Sequence, residues 1–179
     1  MSYILAIVFA ALIVVADQLT KYYVVTNYTL GESVPIIDGI FNLTYIHNSG
    51  AAFGILKNQR WFFLAITAII IIICVTMLIR RTYKSKWMYW AICTVLGGGV
   101  GNMIDRIFRD GKVIDFIEFG FFEFPIFNLA NIAVTVGAIM IFLYFLSDMI
   151  KDVKGDNDAV KAYSDELLEK IQSEQNEKN

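Results

Sequence analysis

From Trp61 to Ile79 the chain carries no charged residue and is rich in isoleucine. At ~1.5 Å per residue such a run is long enough to cross a hydrocarbon core of ~30 Å. A segment of this kind makes the bilayer the solvent for everything around it. Three further apolar runs share its character: about 3–25, interrupted by Asp17, Gln18 and Lys21; about 87–104, short and glycine-rich; and about 126–147, preceded by Pro125. The expectation is an all-α membrane protein with four transmembrane helices. A hydrophobic content of 57% over 179 residues agrees, being too apolar for an ordinary soluble domain. The first run lacks the basic start of a secretory signal and reads as an uncleaved helix.

The link "RRTYKSK" after the second run is basic and free of acids, which places it on the cytoplasmic side. Both termini then lie inside, and the connections at about 26–60 and 105–125 face outward. The first mixes turn residues with short β-branched runs, as a small extracytoplasmic sheet of two or three strands would. The second, "DGKVIDFIEFGFFEFP", reads as an aromatic-rich loop or hairpin at the headgroups. Residues 1–147 form the membrane domain on this reading. Residues 148–179, with nine acids and five lysines, form a cytoplasmic charged tail, helical around Leu167, Leu168 and Ile171 and fraying into disorder. No basic surface for nucleic acid is evident. Cys74 and Cys93 stand alone in apolar runs and read as inert thiols, so neither a metal site nor a cofactor is expected.

The informative residues are polar ones in apolar company: Asp17, Asn102, Asp105, Arg106, Asp115, Asn128 and Asn131. Each intramembrane charge costs ~2.5 to 3.5 kcal/mol even on a lenient scale. Singly they have plain explanations: Asp17 and Lys21 form an i, i+4 pair, and Asp105 and Arg106 are charges in an interfacial loop. Together they come from four segments to one depth. "GGGVG" at 97–101 lacks the lysine of a phosphate loop and reads as a helix-packing surface. His47, the sole histidine, reads as a loop residue, and no serine stands in a nucleophile elbow. Paired carboxylates remain, one of which shares a proton with the other and activates water. Asp115 offers one carboxylate. The second belongs at the start of the fourth run, where Asn128 and Asn131 stand i, i+3 on one helix face.

"ADQLTK" at 16–21, "HNSGAAFGIL" at 47–56, "GGGVGNMIDRI" at 97–107, "VIDF" at 113–116 and "FNLAN" at 127–131 resemble, in order and approximate spacing, the five motifs of the lipoprotein signal peptidase (signal peptidase II) family. The resemblance implies a four-span bacterial cytoplasmic-membrane aspartyl peptidase with its site on the outer face. Such an enzyme removes the signal peptide of a prolipoprotein just before the diacylglyceryl-modified cysteine. By the same resemblance Asp115 is one catalytic aspartate and position 131 the other. Asp17, Lys21, Asn102 and Asn128 order the site, Asn48 and Arg106 hold the peptide backbone, and the segment from Gly50 to Phe53 closes over it. The partners implied are the lipidated precursor and membrane lipids, and the chain is expected to act as a monomer.

The chain departs from the family at one position. Its motif ends in Asp, whereas Asn131 can neither accept nor share the proton. The other motif positions are intact, as a single replacement would leave them and drift would not. Activity of this sequence is therefore expected to be lost or strongly slowed. Two rival readings are a non-cleaving lipopeptide-binding protein and a small ion or proton transporter. The transporter is weakened by the absence of polar residues from the inner half of the runs.

Overall fold

The computed structural model of the chain describes residues 3–50, 55–83 and 85–177. Four helices and three strands follow in the order α1 (Tyr3–Asn27), β1 (Ser33–Ile37), β2 (Phe41–Asn48), α2 (Arg60–Arg80), α3 (Lys86–Phe108), β3 (Val113–Phe119) and α4 (Leu129–Glu177). The chain divides into two compact units, Met1–Ile141 and Phe142–Asn179. Three helical segments, Tyr3–Asn27, Arg60–Arg80 and Leu129–Asn157, are long and apolar enough to cross a membrane.

α3 differs from them for a physical reason. It packs against both α1 and α2, and Ala91, Ile92 and Cys93 are among its fully buried residues. A helix enclosed by protein needs no continuous apolar coat. α1 and α2, by contrast, expose large apolar side chains such as Leu12, Leu19, Ile72 and Ile79, the pattern of helices whose outer surface meets lipid.

The glycines of α3 set how closely its neighbours approach. A Cβ at Gly97 would lie 2.8 Å from the Ile13 Cβ, and one at Gly98 would lie 2.5 Å from the Ala130 carbonyl oxygen. At Gly101 it would lie 2.7 Å from Asp17 Oδ2. The stretch "GGGVG" thus faces α1 on one side and the start of α4 on another, which is close packing through small residues.

The connections at about 26–60 and 105–125 form one structure. β1, β2 and β3 make a single antiparallel sheet in that order, with Ile46 opposite Asp115 and Asn48 opposite Val113. The segment expected as a separate loop or hairpin therefore supplies the third strand, because its run "VIDFIEF" pairs along β2. His47 lies in β2 and not in a loop. Its Nε2 sits 2.8 Å from the Tyr45 hydroxyl, and partial burial with Lys112 and Arg109 nearby lowers its pKa. Ile114 and Phe116 pack with Val24 and Tyr45, anchoring the sheet on the end of α1.

Two boundaries differ from the sequence reading. α3 continues through Asp105 and Arg106, which are helical and not loop charges. The turn after it has Asp110 and Gly111 at positive φ, and a Cβ at Gly111 would lie 2.7 Å from the Arg60 Cβ. α4 keeps its helix to Glu177 where fraying was expected, since its composition favours helix and contains no proline.

Candidate active site

Asp115 sits in β3 with its side chain fully buried. Its Oδ2 accepts from Asn48 Nδ2 at 2.8 Å, and its Oδ1 accepts from Asn128 Nδ2 at 2.6 Å. The Asn131 Nδ2 lies 3.5 Å from the same Oδ1. Burial pushes the Asp115 carboxyl up to about 6; the hydrogen bonds from Asn48 and Asn128 and the charges of Lys21 and Arg106 only partly oppose it.

Local chain geometry explains how Asn128 arrives there. After β3 the chain turns back through Gly120–Pro125, and Phe127 forms a bridge with Ile117, with N–H···O distances of 3.0 and 2.8 Å. The next residue, Asn128, caps α4: its Oδ1 accepts from the Asn131 backbone N–H at 2.8 Å, the N-cap arrangement. Its amide nitrogen is then free to reach Asp115, the Ile114 carbonyl and Asn102 Oδ1. The first asparagine of "FNLAN" starts the helix, and the second projects from its first turn.

Asn102 links this group to a second cluster beneath it. Its Nδ2 donates to Asn131 Oδ1 at 2.6 Å, and its Oδ1 accepts from Lys21 Nζ at 3.0 Å. Lys21 also reaches Asp17 Oδ2 at 2.9 Å and Asp105 Oδ2 at 2.8 Å, and all three side chains are fully buried. Three acceptors satisfy the three ammonium protons. Asp17 Oδ1 accepts from the Ala130 N–H at 2.9 Å, an otherwise unpaired donor in the first turn of α4. Asp105 Oδ2 likewise accepts from the Ile114 N–H at 3.2 Å. The charged cluster thereby holds both elements that carry Asp115 and Asn131.

Above the cluster a pocket of about 410 Å³ is lined by Asn48, Gly50, Asn102, Arg106, Asp115 and Asn131, with apolar walls from α2, α3 and α4. The Arg106 guanidinium lies over the Phe63 ring, 4.7 Å from its centroid, and its Nε is buried without a hydrogen-bond partner among the described residues. Gly50 donates its N–H to Asn48 Oδ1 at 2.9 Å. Of the residues singled out from sequence, Asp17, Lys21, Asn48, Gly50, Asn102, Arg106, Asp115, Asn128 and Asn131 come together; Phe53 lies outside the described residues. Phe63 beneath Arg106 was not foreseen, nor was Asp105 as the second carboxylate on Lys21. Gln18, which donates to Asp17, Asp105 and the Gly101 carbonyl, was also missed, though its place beside Asp17 in "ADQLTK" was an available signal. Among the described residues, no His, Cys, Asp and Glu are grouped in threes as a metal ion would require.

Residues 9–147 match the family model described as signal peptidase (SPase) II. The chain belongs to the signal peptidase II family. Among its relatives, the lipoprotein signal peptidase of Brevibacillus brevis is 52% identical over 128 residues, covering 72% of this chain and 85% of the relative. That of Bacillus pumilus is 45% identical over 148 residues, covering 82% and 92%. A solved bacterial membrane enzyme, determined by the in meso method at 2.3 Å, superposes with a TM-score of 0.77 at 38% identity; the match covers 82% of this chain and 90% of the other. A second such structure, at 1.9 Å, gives 0.74 at the same identity. The signal peptidase II family comprises membrane aspartyl proteases, and its multi-pass bacterial membrane setting agrees with the three apolar helical segments.

Proposed function

We propose that this chain has the architecture of a membrane aspartyl endopeptidase for prolipoproteins, with Asp115 and position 131 as the catalytic pair, and that Asn131 leaves it binding precursor far better than it cleaves. One observation carries the reading: the Asp115 carboxylate and the Asn131 amide meet at 3.5 Å on the wall of one pocket. Two carboxylates so placed would share a proton and hold water between them, one taking the water's proton while the other protonates the leaving amine. With an amide at 131 only half of that exchange is available.

The remaining residues take roles consistent with their contacts. Asn48 and Asn128 fix the Asp115 carboxylate from its two sides. Arg106, held over Phe63 with Nε unpartnered among the described residues, offers a donor to a peptide carbonyl in the pocket. Asp17, Lys21 and Asn102 keep the first turn of α4 in position. The substrate is the signal peptide of a diacylglyceryl-modified precursor, whose acyl chains stay in lipid. α3 serves as a fourth span, both termini face the cytoplasm, and the site opens to the outer face. Residues 1–147 form the membrane domain, 148–179 a cytoplasmic charged tail.

The test compares cleavage of a lipidated precursor by this chain and by its Asn131→Asp variant. Restored cleavage in the variant supports the reading; equal rates in the two, with position 131 of the unaltered chain still asparagine by intact mass, sink the assignment of position 131. Binding without cleavage is the second reading and is favoured by the intact pocket. Co-purification of uncut precursor with the unaltered chain, displaced by excess lipopeptide, supports it.

A further inference from the structure

We propose that Asn131 is a self-modification site: the Asp115 carboxylate hydrolyses the Asn131 side-chain amide, releasing ammonia and leaving aspartate at position 131. The inference rests on reading Asp115 as the proton-transferring acid of the site, and it makes the uncleaving chain a precursor of the cleaving one.

The Asn131 amide is held as a bound substrate amide would be. Its carbonyl oxygen accepts from Asn102 Nδ2 at 2.6 Å, and Asn102 is itself oriented by Lys21 Nζ and Asn128 Nδ2, each 3.0 Å from its Oδ1. A short bond from an oriented donor polarises the carbonyl and stabilises the oxyanion that attack creates. The leaving nitrogen lies 3.5 Å from Asp115 Oδ1. The backbone N–H is tied to Asn128 Oδ1 at 2.8 Å, which fixes the main chain from which the amide projects. The pocket of about 410 Å³ beside both side chains has room for the attacking water.

The step balances with water as the only co-reactant. Asp115 takes a proton from water as the hydroxide oxygen bonds to Asn131 Cγ, and the carbonyl electron pair moves onto Oδ1. The protonated Asp115 then returns that proton to the nitrogen, the C–N bond breaks, and ammonia leaves. One water is consumed and nothing is oxidised or reduced. Asp115 returns to its starting state, now facing a second acid.

Ordinary deamidation takes another path, in which the following backbone nitrogen attacks the side chain and yields mostly isoaspartate. That path is closed here, because the Ile132 N–H is engaged in the helix at 3.1 Å from the Asn128 carbonyl. The product of the proposed route is ordinary aspartate alone.

The experiment follows the purified full chain, folded in lipid bicelles, by intact mass and peptide mapping in normal and ¹⁸O-labelled water. The expected result is a gain of one mass unit localised to position 131, with label incorporated and no isoaspartate. Precursor cleavage should rise in step. The Asp115→Asn variant should convert roughly 10²-fold more slowly or worse, as loss of a general acid–base group implies. In case that variant fails to fold, the unaltered chain denatured in SDS provides the same control, and its position 131 should convert no faster than the exposed Asn27. No conversion in the folded chain overturns the proposal, as does conversion dominated by isoaspartate or equally fast without Asp115. Cleavage by the Asn131→Asp variant is measured alongside. If that variant is active while the unaltered chain never converts, only the self-modification fails; if that variant is inactive, the reading of the pair itself fails.

Discussion

Two buried clusters share the interior of this protein and are built on opposite principles. Around Lys21, two carboxylates and an amide oxygen surround one ammonium, and every proton has an acceptor. Around Asp115 there is, among the described residues, one carboxylate with three asparagines and no cation in hydrogen-bond contact. With Arg109 Nε 3.4 Å from Asp105 Oδ1, the first arrangement is neutralised, and it is suited to holding two backbone elements. The second leaves a carboxyl near its point of proton exchange, where reactivity is possible. Asn102 joins the two, accepting from Lys21 Nζ and donating to Asn131 Oδ1.

The largest expected effect comes from supplying the missing acid. Asn131→Asp should raise cleavage of a lipidated precursor by about 10²- to 10⁴-fold over the chain in which position 131 is still asparagine, the usual contribution of a positioned general acid–base group. A rate assay in bicelles checks this. If the same substitution also abolished the Asn102 contact, the gain would be smaller and Asn102→Asp would not recover it.

Removing the cation from the satisfied cluster should instead cost stability. Lys21→Met keeps the length of the side chain but strands Asp17 without a counter-charge and leaves Asp105 only the half-buried Arg109, whose Nε lies 3.4 Å from its Oδ1, at an expected cost of about 3 to 5 kcal/mol. Steric trapping or denaturant titration of the purified protein measures it. A loss under about 1 kcal/mol would mean the cluster does not hold α4 against α1 and α3.

The Asp115 cluster should respond to pH. Its carboxyl is pushed up to about 6 from an ordinary value near 3.8, so the folded state binds this proton more tightly than the unfolded chain does. The associated stability is present in full below about pH 4 and falls away as pH rises through about 6, amounting to about 3 kcal/mol. Infrared difference spectra should show the Asp115 carbonyl band fading over that upper range. In Asn131→Asp the band should persist to higher pH, because two adjacent carboxylates resist joint ionisation. An unmoved band would separate position 131 from Asp115.

A smaller effect is expected where packing meets charge. A Cβ at Gly101 would lie 2.7 Å from Asp17 Oδ2, so Gly101→Ala should cost about 1 to 3 kcal/mol by overpacking. It should also loosen the Ala130 N–H from Asp17, which hydrogen exchange in the first turn of α4 would report.

How far the sequence disclosed this arrangement depends on whether a feature is local. α1, α2 and the start of α4 are legible because lipid-facing helices must be apolar along their length. α3 is legible as a short, glycine-rich apolar run, weaker than the others because a helix buried in protein sheds that requirement. Asp17 and Lys21 are readable as an i, i+4 pair, but Asp105 as their third member is not, because its approach depends on how α1 packs on α3. Likewise the pairing of β3 with β2 joins residues far apart in the chain, and His47 was misplaced for that reason. Asn128 and Asn131 were readable as neighbours on a helix face; that both reach Asp115, the first while capping the helix, required the fold.

The smallest expected effect lies outside both clusters and calibrates them. Arg60 and Asp110 form an ion pair at 3.1 Å, with side chains 31% and 89% exposed. Water already solvates the aspartate, and salt screens what attraction remains. Asp110→Asn should therefore change stability by less than about 1 kcal/mol and leave precursor cleavage by Asn131→Asp unaltered. Its φ of +53° is one that asparagine tolerates, so the turn itself is kept. The distance is close to those around Lys21, and only burial separates the two cases. Should Asp110→Asn cost as much as Lys21→Met, the contrast between a buried, satisfied cluster and an exposed pair would lose its physical basis.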